Sequence, residues 1–184
     1  MEPVFRLPFI VLGTLCLTIA PVLTGKGKHH LKHDTADAKA VFDNFASAVA
    51  IFDVDKDGDL DCLSTVRLDY DKNASTAIYF WTLKNLNGHA QNISFQVAPG
   101  PALNQFLVKD KNSYEPVQIG TYDYTDYKNC VVMEMPYHGG DECVLWVSEK
   151  AIDDIPQHCL DNYDDNCEDA KLAYDKDSCS TMES

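Results

Sequence analysis

From Cys62 onward, apolar residues fall into short β-branched or aromatic runs rather than at helical spacing. The runs are Leu63–Leu68, Thr76–Leu83, Ile93–Val97, Phe106–Val108, Val117–Tyr124, Cys130–Met135 and Cys143–Val147. Turn chemistry separates them, at Asp71-Lys72-Asn73, Asn87-Gly88, Pro99-Gly100-Pro101, Lys111-Asn112 and Gly139-Gly140, which marks each run as a strand. The stretch before Asp53 brings the count to about eight, the number at which an up-and-down antiparallel barrel encloses one small ligand. Two other segments have helical spacing. Between Thr35 and Phe52, Ala38, Val41, Phe42, Phe45, Ala48 and Val49 recur with Asp and Thr near the start as a cap, predicting a short helix that enters the first strand. Between Ser148 and Cys167, Ile152, Ile155, Cys159, Leu160 and Tyr163 form an apolar stripe. That stripe suits a C-terminal helix packed outside the barrel, with Pro156 at a break or a start.

Residues 1–24 have a different character. One Arg6 precedes the apolar run Phe9–Ala20, the shape of a cleaved secretory signal. The expected product is one domain over 25–184, a secreted, extracellular monomer. Lys26–His33 is basic and histidine-rich without apolar periodicity, as in a disordered terminus. Sequons at Asn73-Ala74-Ser75 and Asn92-Ile93-Ser94 predict glycosylated surface positions. A net charge of -14 disfavours nucleic acid and anionic membranes as partners and favours cationic ligands.

Of seven cysteines, Cys16 leaves with the signal, and an even remainder in a secreted chain reads as disulfides rather than a metal site. Spacing alone allows 15 connectivities. The order Cys130-Val131-Val132, Cys143-Val144-Leu145-Trp146, Ile155-Pro156-Gln157-His158-Cys159, Cys167 and Cys179 resembles the tick salivary lipocalins of the histamine-binding family. The resemblance is strongest from Thr121 to Cys179. It implies an eight-stranded lipocalin barrel and the bridges Cys62–Cys179 and Cys130–Cys159, which leave Cys143 with Cys167. It also implies a binding protein, not an enzyme, that sequesters a small host mediator at a feeding site and needs no cofactor. A second class of function stays open: a barrel whose loops engage a host protein of the immune or complement systems.

Strand parity connects the implied bridges to a cavity. Successive strand residues face opposite sides, so a Cys130 bonded to an outer helix turns Val131, Met133 and Met135 inward. Cys143 likewise turns Val144 and Trp146 inward. In the family resembled, amine-binding members carry an acid just after the first of these cysteines and another just before the Leu-Trp pair. Here both positions are valine, Val131 and Val144. Losing the counter-charge of a buried ammonium costs about 3–5 kcal/mol, so the expected ligand shifts from a biogenic amine toward a lipid-like mediator. Asp53, Asp123 and Glu134 are candidate replacement acids, with Glu134 outward by parity. Trp81 and Tyr122 are candidate wall residues, together with Tyr79, Phe95, Phe106 and Tyr124, and spacing leaves open which of them face inward.

Asp53-Val54-Asp55-Lys56-Asp57-Gly58-Asp59-Leu60 copies the start of an EF-hand loop, but the closing glutamate is replaced by Ser64, and a β-branched stretch follows instead of a helix. No metal site is expected. Adding calcium at sub-millimolar concentration should leave the melting temperature of the purified protein unchanged; a rise of more than a few degrees would show that these aspartates form a site.

Overall fold

The computed structural model describes residues 34–54, 60–84, 87–167 and 170–179. The expected signal, the histidine-rich stretch and Asp55, Asp57 and Asp59 lie outside the described residues. A short helix α1 (Ala38–Asn44) leads into β1 (Ser47–Asp53), β2 (Asp61–Asp71), β3 (Thr76–Lys84) and β4 (Ala90–Pro99). β5 (Gln105–Asp110), β6 (Gln118–Thr125), β7 (Cys130–Tyr137) and β8 (Gly140–Val147) complete the main strands. α2 (Gln157–Asn166), β9 (Lys171–Leu172) and α3 (Lys176–Cys179) follow.

Each strand from β2 to β8 pairs antiparallel with its sequence neighbour, and β1 lies between β8 and β2. The registers Ala48↔Thr65 and Ala50↔Trp146 join β1 to both, so β1–β8 close into an eight-stranded barrel in which each strand has a neighbour on both sides, and the short β9 pairs with the end of β1. The predicted fold class is the observed one. Short connections suffice because every neighbour is antiparallel. The β7–β8 hairpin, for example, turns through His138 and Gly139, both at positive φ, as a type I′ turn requires.

Parity sorts the apolar residues into two clusters. Val131, Met133, Met135, Val144 and Trp146 belong to the inner cluster. Cys130, Val132, Cys143, Leu145 and Val147 face outward and pack with Tyr163 and Cys159 of α2. Disulfides Cys130–Cys159 and Cys143–Cys167 fasten α2 and its end to this outer face, and Cys62–Cys179 ties β2 to the tail.

α1 closes one end of the barrel. Its N-cap Asp37 accepts from the amides of Lys39 and Ala40, satisfying donors that a helix start leaves orphaned. The Ala38 amide donates to the Leu103 carbonyl in the β4–β5 turn, 2.9 Å. The Asp37 amide donates to the Tyr127 hydroxyl in the β6–β7 turn, 2.7 Å. Arg67 donates to the Phe42 carbonyl, and Tyr79 to the Phe45 carbonyl at 2.8 Å.

Both helices are shorter than their apolar spacing suggests. α1 stops at Asn44 because Ala48 and Ala50 turn inward while Val49 and Ile51 turn outward, a period of two rather than 3.6. Pro156 is the N-cap of α2, and Glu149–Ala151 forms a separate 3₁₀ turn. Pro156 therefore starts the helix, where its missing amide donor costs nothing.

At that closed end Asp126 accepts from the amides of Lys128, Asn129 and Cys130, and His158 of α2 reaches its second oxygen at 3.1 Å. Burial works to raise its pKa, but these hydrogen bonds outweigh burial and hold it at about 2.

The Cys62–Cys179 bridge spans 117 residues. In the chain-entropy treatment a loop of that size restrains the unfolded state by about 4–5 kcal/mol. Replacing both cysteines with serine should lower the urea-unfolding free energy by an amount of that order while circular dichroism keeps its β signature. A loss below ~1 kcal/mol would mean that the tail adds little restraint.

Candidate functional site

The barrel interior encloses a cavity of about 70 Å³. Val41 and Phe45 close it at the α1 end. Tyr79, Trp81, Phe95, Phe106 and Tyr122 supply aromatic walls, and Val131, Met133, Met135 and Trp146 complete one side. Among the described residues none of the lining side chains is charged. The rings pack on each other: Trp81 lies 5.3 Å from Trp146 and 4.6 Å from Phe95, and Phe106 stacks on Tyr122 at 4.5 Å. The lining phenols stay neutral. Burial pushes Tyr79 up to about 12 and holds Tyr122 well above the ordinary tyrosine range.

Gly120 explains how the Phe106–Tyr122 stack fits. A Cβ there would lie 2.2 Å from Phe106 Cζ, so the absence of a side chain on β6 makes room for the ring.

Two polar groups on this wall have no hydrogen-bond partner among the described residues, Thr65 Oγ1 and Trp146 Nε1. Such orphan groups each cost about 1–3 kcal/mol.

A second pocket of about 290 Å³ opens at the other end of the barrel, among the start of β4, the β5–β6 connection and the β7–β8 hairpin. It shares Phe95 and Val108 with the inner cavity, and its lining includes Asp110, Glu115 and His138. This is the mouth. Asn92, exposed on β4, also borders it, whereas Asn73 is exposed in the β2–β3 turn at the α1 end.

The sequence candidates separate in space. Val131, Met133, Trp146, Trp81 and Tyr122 all border the cavity. Val144 faces inward and is fully buried, yet the cavity lining does not include it. Tyr124 turns outward, its ring 6.3 Å from His158 on α2. Asp123 also leaves the candidate site. Next to the inward Tyr122 it meets Glu134 and the outward Cys143 on the outer face, and the register shift between Tyr122 and Tyr124 is what turns Tyr124 outward as well. Glu134 is outward, as parity predicts.

Asp53 is 1% exposed at the end of β1. A bulge between Ala50 and Phe52 puts Ile51 and Phe52 both against the outer cluster, so alternation returns Asp53 to the inner face. Glu142, 5% exposed, lies opposite Met135 and two residues before Val144 on β8, which places it on the same inner face. Sequence reasoning passed over Glu142, although the outward turn of Cys143 predicts the inward turn of both its neighbours. Neither acid is among the residues lining the two pockets. Both carboxylates help hold the Tyr163 phenol above its ordinary range, with burial the larger cause.

The family described as tick histamine binding protein matches residues 43–181. The chain belongs to that family. No curated protein matches it. Among solved structures, the AM182 serotonin complex aligns with a TM-score of 0.59 at 16% identity, covering 81% of this chain and 97% of that one. Japanin from Rhipicephalus appendiculatus bound to cholesterol aligns with a TM-score of 0.53 at 16% identity, covering 70% and 91%. The tryptamine complex of the amine binding protein of Rhodnius prolixus aligns with a TM-score of 0.52 at 12% identity, covering 85% and 94%. At these identities the likeness shows the lipocalin-like fold.

Gly120→Ala should displace Phe106 from the wall. Overpacking of this kind costs about 1–3 kcal/mol, read as a lowered melting temperature, and near-ultraviolet circular dichroism should report the broken Phe106–Tyr122 stack. An unchanged melting temperature would show that the ring can move at no cost.

Proposed function

We propose that this family member captures a small mediator with an apolar body inside the barrel, one ligand per chain, as a secreted host-directed scavenger. The observation that carries the reading is the uncharged wall of the inner cavity. Val131 borders that cavity and Val144 lies in the same inner cluster, where the resemblance to amine-binding relatives would place acids. Without a carboxylate, an ammonium entering the cavity loses its hydration with no counter-charge, and cation–π contact with the rings, worth about 2 kcal/mol when desolvated, offsets only part of that loss. Aromatic rings and methionine thioethers instead reward apolar, polarisable groups. Secretion over residues 25–184 after removal of 1–24, with glycans at the exposed Asn73 and Asn92, is the compartment that suits three disulfides.

Volume refines the ligand. About 70 Å³ is well below the ~300–1,000 Å³ of sites for drug-sized molecules. A sterol or long acyl chain would have to displace aromatic side chains or run out through the mouth. The shared residues Phe95 and Val108 support the second route, with an apolar part inside and a polar part among the mouth's side chains. Solved relatives of the fold hold cholesterol, serotonin and tryptamine, so lining rather than architecture decides between lipid and amine.

A second reading rests on Asp53 and Glu142. Both are buried on the inner face near Val144, and a shift of Met135 that brought either to the ligand would restore a counter-charge for an amine.

Calorimetry separates the readings. The unmodified protein should bind histamine and serotonin no more tightly than high micromolar, and Val131→Asp should tighten both by roughly two decades. Sub-micromolar histamine binding by the unmodified protein that is lost in Glu142→Gln or Asp53→Asn would overturn the apolar reading in favour of the amine one.

A further inference from the structure

The two orphan groups on the cavity wall carry more information than its apolar character. Thr65 is 7% exposed and Trp146 5%, and neither the hydroxyl nor the indole N–H is hydrogen-bonded among the described residues. Both residues line the inner cavity. They are brought to one region by β1, whose Ala48 pairs with Thr65 and whose Ala50 pairs with Trp146. Both alanines face inward, so the stretch of wall between the two polar residues carries the smallest inward side chains of β1. Tyr79 cannot satisfy either group as a donor, because its hydroxyl is already given to the Phe45 carbonyl.

The chemistry of the pair is directional. An indole N–H only donates, and a threonine hydroxyl can donate as well as accept. A ligand that satisfies Trp146 must therefore present an acceptor. An ammonium presents none. A carboxylate would accept, but the cavity lining holds no cation to compensate its buried charge. A neutral carbonyl oxygen, with two lone pairs, can accept from both groups at once.

We propose that Trp146 Nε1–H and Thr65 Oγ1–H together recognise a neutral oxygen acceptor, of the ketone, aldehyde or ester class, on an otherwise apolar ligand. This rests on the reading of the inner cavity as the capture site and adds a specificity to it. The two residues select among apolar ligands by the cost of leaving them unsatisfied. An isosteric hydrocarbon fills the same space but leaves two buried donors without partners, and selection against such a ligand is steeper than selection by size alone.

Three compounds with one carbon skeleton test this on the full oxidised protein: acetophenone, ethylbenzene and 1-phenylethylamine. By calorimetry or tryptophan fluorescence, acetophenone should bind about tenfold more tightly than ethylbenzene, with the protonated amine weakest. In Thr65→Val the ratio of acetophenone to ethylbenzene affinity should fall several-fold, and in Trp146→Phe it should fall close to one. A second readout needs no ligand. Because the Thr65 hydroxyl has no partner among the described residues, Thr65→Val should not lower the melting temperature. Equal affinity for acetophenone and ethylbenzene in the unmodified protein would overturn the acceptor proposal while leaving the apolar capture reading intact, with retained water satisfying the two groups. Preference that survives both substitutions would also overturn it. Tightest binding by the amine, or no binding by any of the three, would overturn the proposal and the apolar capture reading together.

Discussion

The structure depends on the outward turn of Cys130 and Cys143. Each is a strand residue bonded to the segment outside the barrel, Cys130 to Cys159 and Cys143 to Cys167. A one-residue slip of either strand would carry its whole inward set to the outside. The bridges forbid that slip, because the sulfur would then point into the core. They also hold α2 over β6, β7 and β8, where Val132, Leu145 and Val147 need cover. The composition of the cavity therefore follows from two covalent bonds that never touch it.

The same constraint explains where reading the chain succeeded. Alternation from Cys130 places Val131, Met133 and Met135 inside, and alternation from Cys143 places Val144 and Trp146 inside, as the structure has them. β7 and β8 pair without a register shift from Cys130↔Val147 to Tyr137↔Gly140, so a simple count holds along both. It fails on β6 and β1. There, irregularities between Tyr122 and Tyr124 and between Ala50 and Phe52 each disturb the alternation. Tyr124 is turned to the outer face beside Asp123, while Asp53 turns inward. Neither bulge has a glycine or proline in the sequence to announce it. Glu142 was legible all along from its place beside Cys143.

Other features could not be read without packing. Val144 faces the right way yet does not border the cavity, which depends on how neighbouring side chains fill the space rather than on parity. The small size of the cavity is of the same kind. Seven aromatic side chains share the lining, and only their mutual packing, with Phe106 over the bare Gly120, shows how much volume is left. Conversely, a short helix before the first strand was legible from its apolar spacing and the Asp and Thr near its start, and its role as a plug emerges only from bonds to Leu103, Tyr127, Arg67 and Tyr79 in other parts of the chain.

The central claim is that an uncharged cavity wall, set on β7 and β8 by strand parity, selects an uncharged apolar ligand. Native mass spectrometry of the protein expressed in an oxidising host and incubated with an extract of blood plasma tests it most directly. The account predicts one bound molecule per chain, extractable into organic solvent and neutral in its buried part. Recovery of histamine, serotonin or another primary amine as the stoichiometric passenger would contradict it.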